Sequence, residues 1–383
     1  MKILIVSAEY PPLISTGRLH TLALAEAFLD LGHNVHVLAP KHKGSDLSEI
    51  DSRIQHHYTG YFKWMPSNDI GIKWFIPLFI ACAYSLRSEQ FDRVYVSMPP
   101  FFSGVAVWLA NFFTRWPLTL IYRDLWSGDP YPAATHRASL RRKIGRVLEP
   151  VIIKSVNQIF VISPTMLRDQ QEIVGLADNL YLSSTGYSSH KVGAFESSIP
   201  MPVDRDLIFT YVGSIDSHMH FDKLIPLINA VASSIKRKIN IRHVGRPTEK
   251  IVLNPTMTLI AYEAVGEISH SNAIIAMKNA DVLLCMATNE PQRLNRKIFE
   301  YLAVGKRILL IGSGCSETER IARLVGKTVF LYECHLVHEH GIQMLADKLV
   351  DALTCQIPFH SEILTQYEYK NIAKNMLDIR MKV

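Results

Sequence analysis

Short apolar runs, each ending in a polar or proline-containing loop and followed by an amphipathic helix, recur along this chain, and that alternation limits its fold more than any other feature. "KILIVSA" is the first run. "LHTLALAEAFLDLG" follows as a helix with Leu22 and Leu29 on one stripe and Gly32 as its stop, and "HNVHVLAP" is the next strand. Strands that are apolar throughout are covered on both faces, the condition of a parallel sheet with crossover helices. "RVYVSMPP", "LTLIYRDLW" and "QIFVISP" continue the series. From Gly186 to Asp206 the alternation stops in a stretch rich in Ser, Pro and Gly, within which 191–206 is read as a hinge. It then restarts with "LIFTYVGS", a helix over 221–235, "INIRHVGR", "TLIAY", "VGEI", a helix over 271–279 and "DVLLCM". A helix over 295–304, "RILLIGSG", a helix over 317–325 and "TVFLY" complete the second series, and the tail from about 342 to 381 is helical. A chain of 383 residues exceeds one ordinary core. The expected fold class is therefore α/β, with two facing Rossmann-like domains over 1–190 and 207–360 and a last helix, 361–383, reaching back to the first domain. Open parallel sheets bind ligands at the carboxyl ends of their strands, so two facing sheets place the reactants in a cleft between them.

Composition excludes several function classes. The net charge of +6 suits an anionic substrate or an anionic membrane face, but the basic residues are spread out rather than interleaved with aromatics, which excludes nucleic-acid binding. Five scattered cysteines with no C-x-x-C predict a reduced, intracellular protein. The start "MKILIVSAEYPP" is no signal peptide, because its apolar run is short and Glu9 interrupts it. "WFIPLFIACAY" and "FFSGVAVWLANFF" fall short of the ~18–20 apolar residues that span a bilayer. The expectation is a soluble, cytoplasmic chain in peripheral contact with the inner face of a membrane. The segment 63–87 mixes Trp64, Trp74, Phe75 and Phe79 with Lys63, Lys73 and Arg87. It reads either as an interfacial segment suited to a lipid-linked acceptor or as a core helix with Pro77 in its first turn.

The richest motif is "NRKIFEYLAVGKRILLIGSG". Lys297 and Glu300 share a helix face, Gly305 ends the helix, and Arg307 to Gly312 is a strand. A carboxylate accepts two hydrogen bonds from a vicinal diol such as a ribose, and a lysine neutralises a phosphate. The competing reading is an exposed ion pair. "YRDLWSGDPY" places Arg123 and Asp124 after a strand, so Asp124 is a candidate to bind or deprotonate an acceptor hydroxyl and Arg123 to counter phosphate charge. An Arg–Asp pair closing a loop is the alternative. "LISTGRLH" offers Ser15, Thr16 and Gly17 at a helix start that attracts anions, with Arg18 beside them, or else Thr16 is a plain N-cap and Arg18 a solvated residue. "GSGCSE" partly matches a dinucleotide fingerprint with Glu333 downstream, but Glu317 stands where the third glycine belongs. "CHLVHEHG" lacks the second paired cluster that zinc needs, so it reads as a surface loop.

"KIFEYLAVGKRIL" after "ADVLLCM" resembles the donor-site segment of family 4 glycosyltransferases, which have the GT-B fold. The opening strand–helix–strand unit, "TYVGS" and "VGEI…ADVLL" fall in the family's order, and "VYVSMPPFFSGVAVWLANFFTRWPLTLIYRDLW" is similar to a subgroup with S-P-P and R-D-L-W elements that builds surface polysaccharides and lipid-linked glycans. The resemblance implies that Glu300 binds the donor ribose, that Lys297 lies near the donor, and that Gly213 and Ser214 let backbone N–H groups approach the donor phosphates. Four departures stand out. Gln292 replaces a second glutamate, Arg307 replaces a proline, and the loop after "VGS" offers only Lys223, His218 and His220 as cations; histidine is also common in the family where Arg123-Asp124 stand here.

The reading that follows is a metal-independent retaining hexosyltransferase. The N-terminal domain takes a surface-glycan or lipid-linked acceptor, the C-terminal domain takes a nucleotide-diphosphate sugar, and there is no cofactor and no metal ligand. A nucleotide-sugar epimerase of the same fold and a non-catalytic sugar-nucleotide-binding or scaffold subunit are the alternatives.

Overall fold

The computed structural model describes residues 1–383 except 14, 43–49, 129–135, 176, 194–201, 203, 216–220, 247–250, 252, 288–290, 292, 293, 333–341, 356 and 380–383. The chain forms two compact units, Met1–Gly186 with Tyr369–Val383, and Tyr187–Glu368. The division falls at Gly186/Tyr187, a few residues before the segment read as the hinge. Tyr187 is already packed into the second unit's core, its N–H on the Tyr367 carbonyl at 3.1 Å.

Unit 1 is built on β1 (Lys2–Val6), α1 (Thr16–Asp30), β2 (Asn34–Pro40), β3 (Gln55–Thr59), α2 (Ile70–Ile80), β4 (Arg93–Met98), α3 (Phe101–Thr114), β5 (Leu118–Tyr122), α4 (His136–Ser155), β6 (Gln158–Val161), α5 (Pro164–Val174) and β7 (Leu180–Leu182). Its seven strands are ordered β3-β2-β1-β4-β5-β6-β7 and all are parallel. The order reverses between β1 and β4, which is the switch point of a doubly wound sheet. Burial explains the apolar strands: in β1 Ile3, Leu4, Ile5 and Val6 are all buried, with α1 packed on one face. Phe28 of α1 stacks on Tyr95 of β4 at 5.2 Å; fully burying such a side chain stabilises a fold by ~1.5–3 kcal/mol. The helix Tyr369–Asp378 completes this core with Ile372, Ala373 and Met376, and the Tyr369 hydroxyl bonds to His20 and Thr185.

Proline 77 is not in the first turn of its helix. The Asp69 side chain accepts from the Gly71 N–H at 2.8 Å and starts α2 at Ile70, so Pro77 sits inside it. Beyond Ile80 the helix widens into a π turn, Ala81–Ser85, with the Leu86 N–H on the Ala81 carbonyl.

Unit 2 contains the short helix α6 (Ser189–Val192), then β8 (Leu207–Val212), α7 (Phe221–Ile235), β9 (Ile239–Val244), β10 (Ile260–Gly266), α8 (His270–Lys278), β11 (Val282–Met286), α9 (Lys297–Val304), β12 (Arg307–Gly312), α10 (Glu317–Val325) and β13 (Thr328–Tyr332). Its six parallel strands follow β10-β9-β8-β11-β12-β13, with the reversal between β8 and β11. The runs "TLIAY" and "VGEI", expected as two strands, are one. β10 is an edge strand with mostly exposed side chains, so a charged residue, Glu263, interrupts its apolar pattern and pairs with Arg242 of β9 at 2.9 Å. The tail is three helices, Ile342–Thr354, Ser361–Thr365 and Tyr369–Asp378.

Candidate functional site

In unit 2 the switch point lies beyond β8 and β11, and the turn before α9 is fastened to it. Asn295 accepts from the Lys297 N–H at 3.1 Å, its own N–H donates to Thr318 Oγ1 at 2.9 Å, and its Nδ2 reaches the Met286 carbonyl at the end of β11 at 3.3 Å. Tyr301, fully buried, accepts the Val212 N–H at 2.9 Å and so ties α9 to the end of β8. Gly305, at φ +79°, ends α9 as the sequence predicts.

Glu300 is 3% exposed. Its Oε1 is ion-paired with Arg296 Nη1 at 2.8 Å and accepts from His270 Nε2 at 3.0 Å, while Oε2 accepts no hydrogen bond among the described residues. Burial pushes the carboxyl up, but Arg296, His270 and Lys297 outweigh it and bring it down from 4.5 to about 2. The exposed-ion-pair reading therefore fails, since the carboxylate is buried and its bonded partners are Arg296 and His270 rather than Lys297. Arg296 was legible as the residue one turn before Glu300 on the same face. His270 was not, because only the fold brings the start of α8 to α9.

Lys297 is half-buried and makes no side-chain hydrogen bond among the described residues. Burial lowers its ammonium from the ordinary value, opposed by Glu300. Its Nζ lies 3.4 Å from where a Cβ on Gly213 would stand. Gly213, at φ +154°, closes β8 with its N–H on the Val244 carbonyl, and the Ser214 carbonyl accepts from the Tyr211 hydroxyl at 2.9 Å. A Cβ on Gly245 would overlap the Gly213 carbonyl, so the two glycines cross in close contact.

A residue the sequence reading passed over fixes this turn. His243, fully buried in β9, donates from Nε2 to the Gly213 carbonyl at 2.7 Å and accepts the Tyr262 hydroxyl on Nδ1 at 2.9 Å. Burial lowers its pKa, opposed by the bond to Gly213. In a trans peptide the next N–H, that of Ser214, points away from His243. Lys297, Glu300, Gly213 and Ser214 thus gather at one strand end. Lys223 is in the first turn of α7 with its side chain outside the described residues, where His218, His220 and Gln292 also lie. Arg307 donates to the Cys355 carbonyl at 3.1 Å.

The "GSGCSE" loop is occupied by the chain's own carboxylate. Buried Glu319 accepts the N–H groups of Gly314 and Ser316 at 2.8 and 2.9 Å in a capping box at the start of α10. Those are the donors a pyrophosphate would need, which removes the dinucleotide reading. The segment 334–341 is outside the described residues, and among the described ones no group of His, Cys, Asp and Glu is placed to hold a metal.

In unit 1, Arg123 follows β5 and is ion-paired with Glu9 beyond β1, while also donating to the Pro99 carbonyl at 2.9 Å. The loop-closing Arg–Asp alternative gives way to this Arg–Glu pair. A Cβ on Gly17 would strike both Glu9 and Arg123, so the helix start read as an anion site already holds a carboxylate. Ser15, not Thr16, caps α1, accepting from the Arg18 N–H at 3.0 Å. Asp124 is exposed at the carboxyl end of β5. Behind it Leu125, Trp126 and Ser127 are buried. Glu149 of α4, fully buried, accepts from the Ser127 N–H and from Gln170 Nε2, each at 3.0 Å, and Trp126 stacks on Phe101 at 5.4 Å. Burial raises the Glu149 carboxyl, opposed by those hydrogen bonds.

The family model for Glycosyltransferase Family 4 matches residues 18–187. No curated protein matches the chain by sequence. Solved structures share the fold at low identity. The sucrose-phosphate synthase of Thermosynechococcus elongatus is 14% identical with a TM-score of 0.68, covering 98% of this chain and 97% of that one. Anabaena Alr3699/HepE in complex with UDP-glucose is 12% identical with a TM-score of 0.62, covering 99% and 100%. The UDP-GlcNAc 2-epimerase of Neisseria meningitidis bound to UDP-GlcNAc is 14% identical with a TM-score of 0.58, covering 99% of each chain.

Proposed function

We propose, for a chain whose residues 18–187 belong to Glycosyltransferase Family 4 and whose fold is GT-B, a retaining transfer of a hexosyl group from a nucleotide-diphosphate sugar to a surface-glycan or lipid-linked acceptor. The observation that carries this reading is the half-buried Lys297 ammonium beside Gly213, with Glu300 one turn along the same helix at the β8/β11 switch point. The donor ribose takes the Oε2 side of Glu300, whose Oε1 is held by Arg296 and His270. Negative charge grows on the leaving diphosphate in the transition state; Lys297 and the N–H of Ser214 face it, and the diphosphate in turn favours the charged lysine. The reading invokes no metal and no cofactor. In unit 1, Asp124 receives the acceptor hydroxyl proton, and Thr16, Gly17, Arg18 and Arg123 border the acceptor. A lipid-linked acceptor implies work at the inner face of a membrane.

The test is a thermal-shift and turnover screen across UDP- and GDP-sugars, with and without lipid-linked acceptors. Donor-dependent stabilisation and sugar appearing on the acceptor are expected. No stabilisation by any nucleotide sugar overturns the donor site, and stabilisation without turnover leaves a binding subunit. The similarity to the epimerase supports a second reading. Incubation with donor alone separates the two, because an epimerase needs no acceptor.

A further inference from the structure

We propose that the outer face of unit 1 formed by α2, α3 and α4 seats the chain on an anionic lipid bilayer. The helices lie side by side. Ring contacts join Phe79 of α2 to Phe113 of α3 at 6.2 Å and Trp108 to Phe112 at 5.4 Å, and Trp108 Nε1 donates to Ser155 at the end of α4 at 2.7 Å. Large apolar side chains stand out from this surface where a soluble helix carries charge. Phe112 is 66% exposed and Val147 70%, with Ile76, Ile80, Phe113 and Val151 about half exposed. On α4 the outward stripe is Leu140, Lys143, Val147, Val151 and Lys154, apolar residues with lysines among them. Such a patch on a protein surface marks an interaction site.

Charge identifies the occupant. The described side chains of α2, α3 and α4 include one acid, Glu149, and it is fully buried. The basic residues are Lys73, Arg141, Arg142, Lys143, Arg146 and Lys154. Arg141 pairs with Asp69 at 2.6 Å, and the exposed cations are Lys143, Arg146 and Lys154. A second copy would bring the same cations against themselves, whereas anionic headgroups neutralise them while the aromatic and aliphatic side chains enter the acyl boundary. The bilayer also explains a cavity of about 810 Å³ beside this face. Met65, Ile72, Phe102, Leu140 and Ile144 form its apolar wall and the Arg141–Asp69 pair its polar one, so a hydrocarbon chain lying along α4 from Leu140 has an apolar wall to follow and a lipid headgroup has a guanidinium beside it.

This seat deepens the proposed use of a lipid-linked acceptor and rests on that reading for its purpose, but vesicle binding is measured without transfer, so the two fail separately. The full chain is sedimented with phosphatidylcholine vesicles with and without phosphatidylglycerol. Binding to the anionic vesicles, weakened by salt, is expected. Lys143→Glu/Arg146→Glu/Lys154→Glu lowers the partition coefficient at least ~100-fold, and Phe112→Ser/Phe113→Ser lowers it at least ~10-fold. Circular dichroism and UDP-induced thermal shift stay as in the parent. The charge variant alters only exposed side chains, so it keeps the test open if the serine variant misfolds. Absence of vesicle binding, binding indifferent to both variants, or a solution dimer dissolved by Phe112→Ser overturns the proposal.

Discussion

Replacing Glu300 by alanine removes the anion around which Arg296, His270 and Lys297 gather, and the structure predicts a cost to folding as well as to donor binding. A carboxyl brought from 4.5 down to about 2 corresponds to ~3 kcal/mol of stabilisation of its charged form, at 1.36 kcal/mol per pH unit. The alanine variant also leaves Arg296, 6% exposed, without its carboxylate. Breaking one side of a buried pair costs ~3–5 kcal/mol, so a loss of that size is expected in the urea transition of unit 2. Glu300→Gln keeps the volume and one acceptor oxygen and is predicted to lose less. That makes glutamine the proper variant for kinetics, because loss of transfer in the alanine variant is confounded with loss of fold. The sign with pH is fixed. A depressed carboxyl contributes fully above 4.5 and loses its contribution as pH falls through about 2. The stability difference between parent and Glu300→Gln therefore shrinks by ~3 kcal/mol over that interval, other carboxyls cancelling in the difference. A double-mutant cycle with Arg296→Met isolates the pair. An alanine cost below ~1 kcal/mol, or a coupling near zero, refutes the network as drawn.

Three further outcomes follow from the same geometry. Lys297→Met changes the stability of unit 2 by less than ~1 kcal/mol, since no side-chain partner is lost, while calorimetric affinity for UDP falls at least ~10-fold; unchanged affinity removes Lys297 from the donor site. His243→Phe keeps the packing on Tyr211 but strips the Gly213 carbonyl of its donor, costing ~1–3 kcal/mol, and donor KM rises several-fold while kcat stays within about two-fold. An unaltered KM leaves His243 purely structural. Asp124→Asn reduces turnover by at least ~100-fold without changing nucleotide affinity, and normal turnover makes Asp124 a bystander.

The two parallel sheets were legible because strands buried on both faces must be apolar throughout, as β1, β11 and β12 are. β10 was broken in two because an edge strand need not obey that rule. The helix 295–304 and its stop at Gly305 were legible from periodicity and the need for positive φ. What escaped was every contact made across the sheet. His270 reaches Glu300 from 30 residues away, His243 reaches Gly213 from 30 away, and Glu9 reaches Arg123 from 114 away. Each joins segments that only the strand order makes neighbours, and no local spacing encodes it.

That strand order also separates the places able to take an anion from those that only look able. Three helix starts or strand ends carry the glycines and donors of a phosphate site. At α1 the carboxylate of Glu9 lies against Gly17 with Arg123 across it, so an incoming phosphate meets a negative charge. At α10 Glu319 consumes the loop's N–H groups. At the end of β8 the arrangement is reversed: the nearest charged group to Gly213 is the Lys297 ammonium, no carboxylate bonds it among the described residues, and the one acid on its helix, Glu300, is held by Arg296 and His270. A diphosphate gains at the third place what the other two deny it. UDP titrated into Glu319→Gln and Glu9→Gln variants should therefore bind as in the parent.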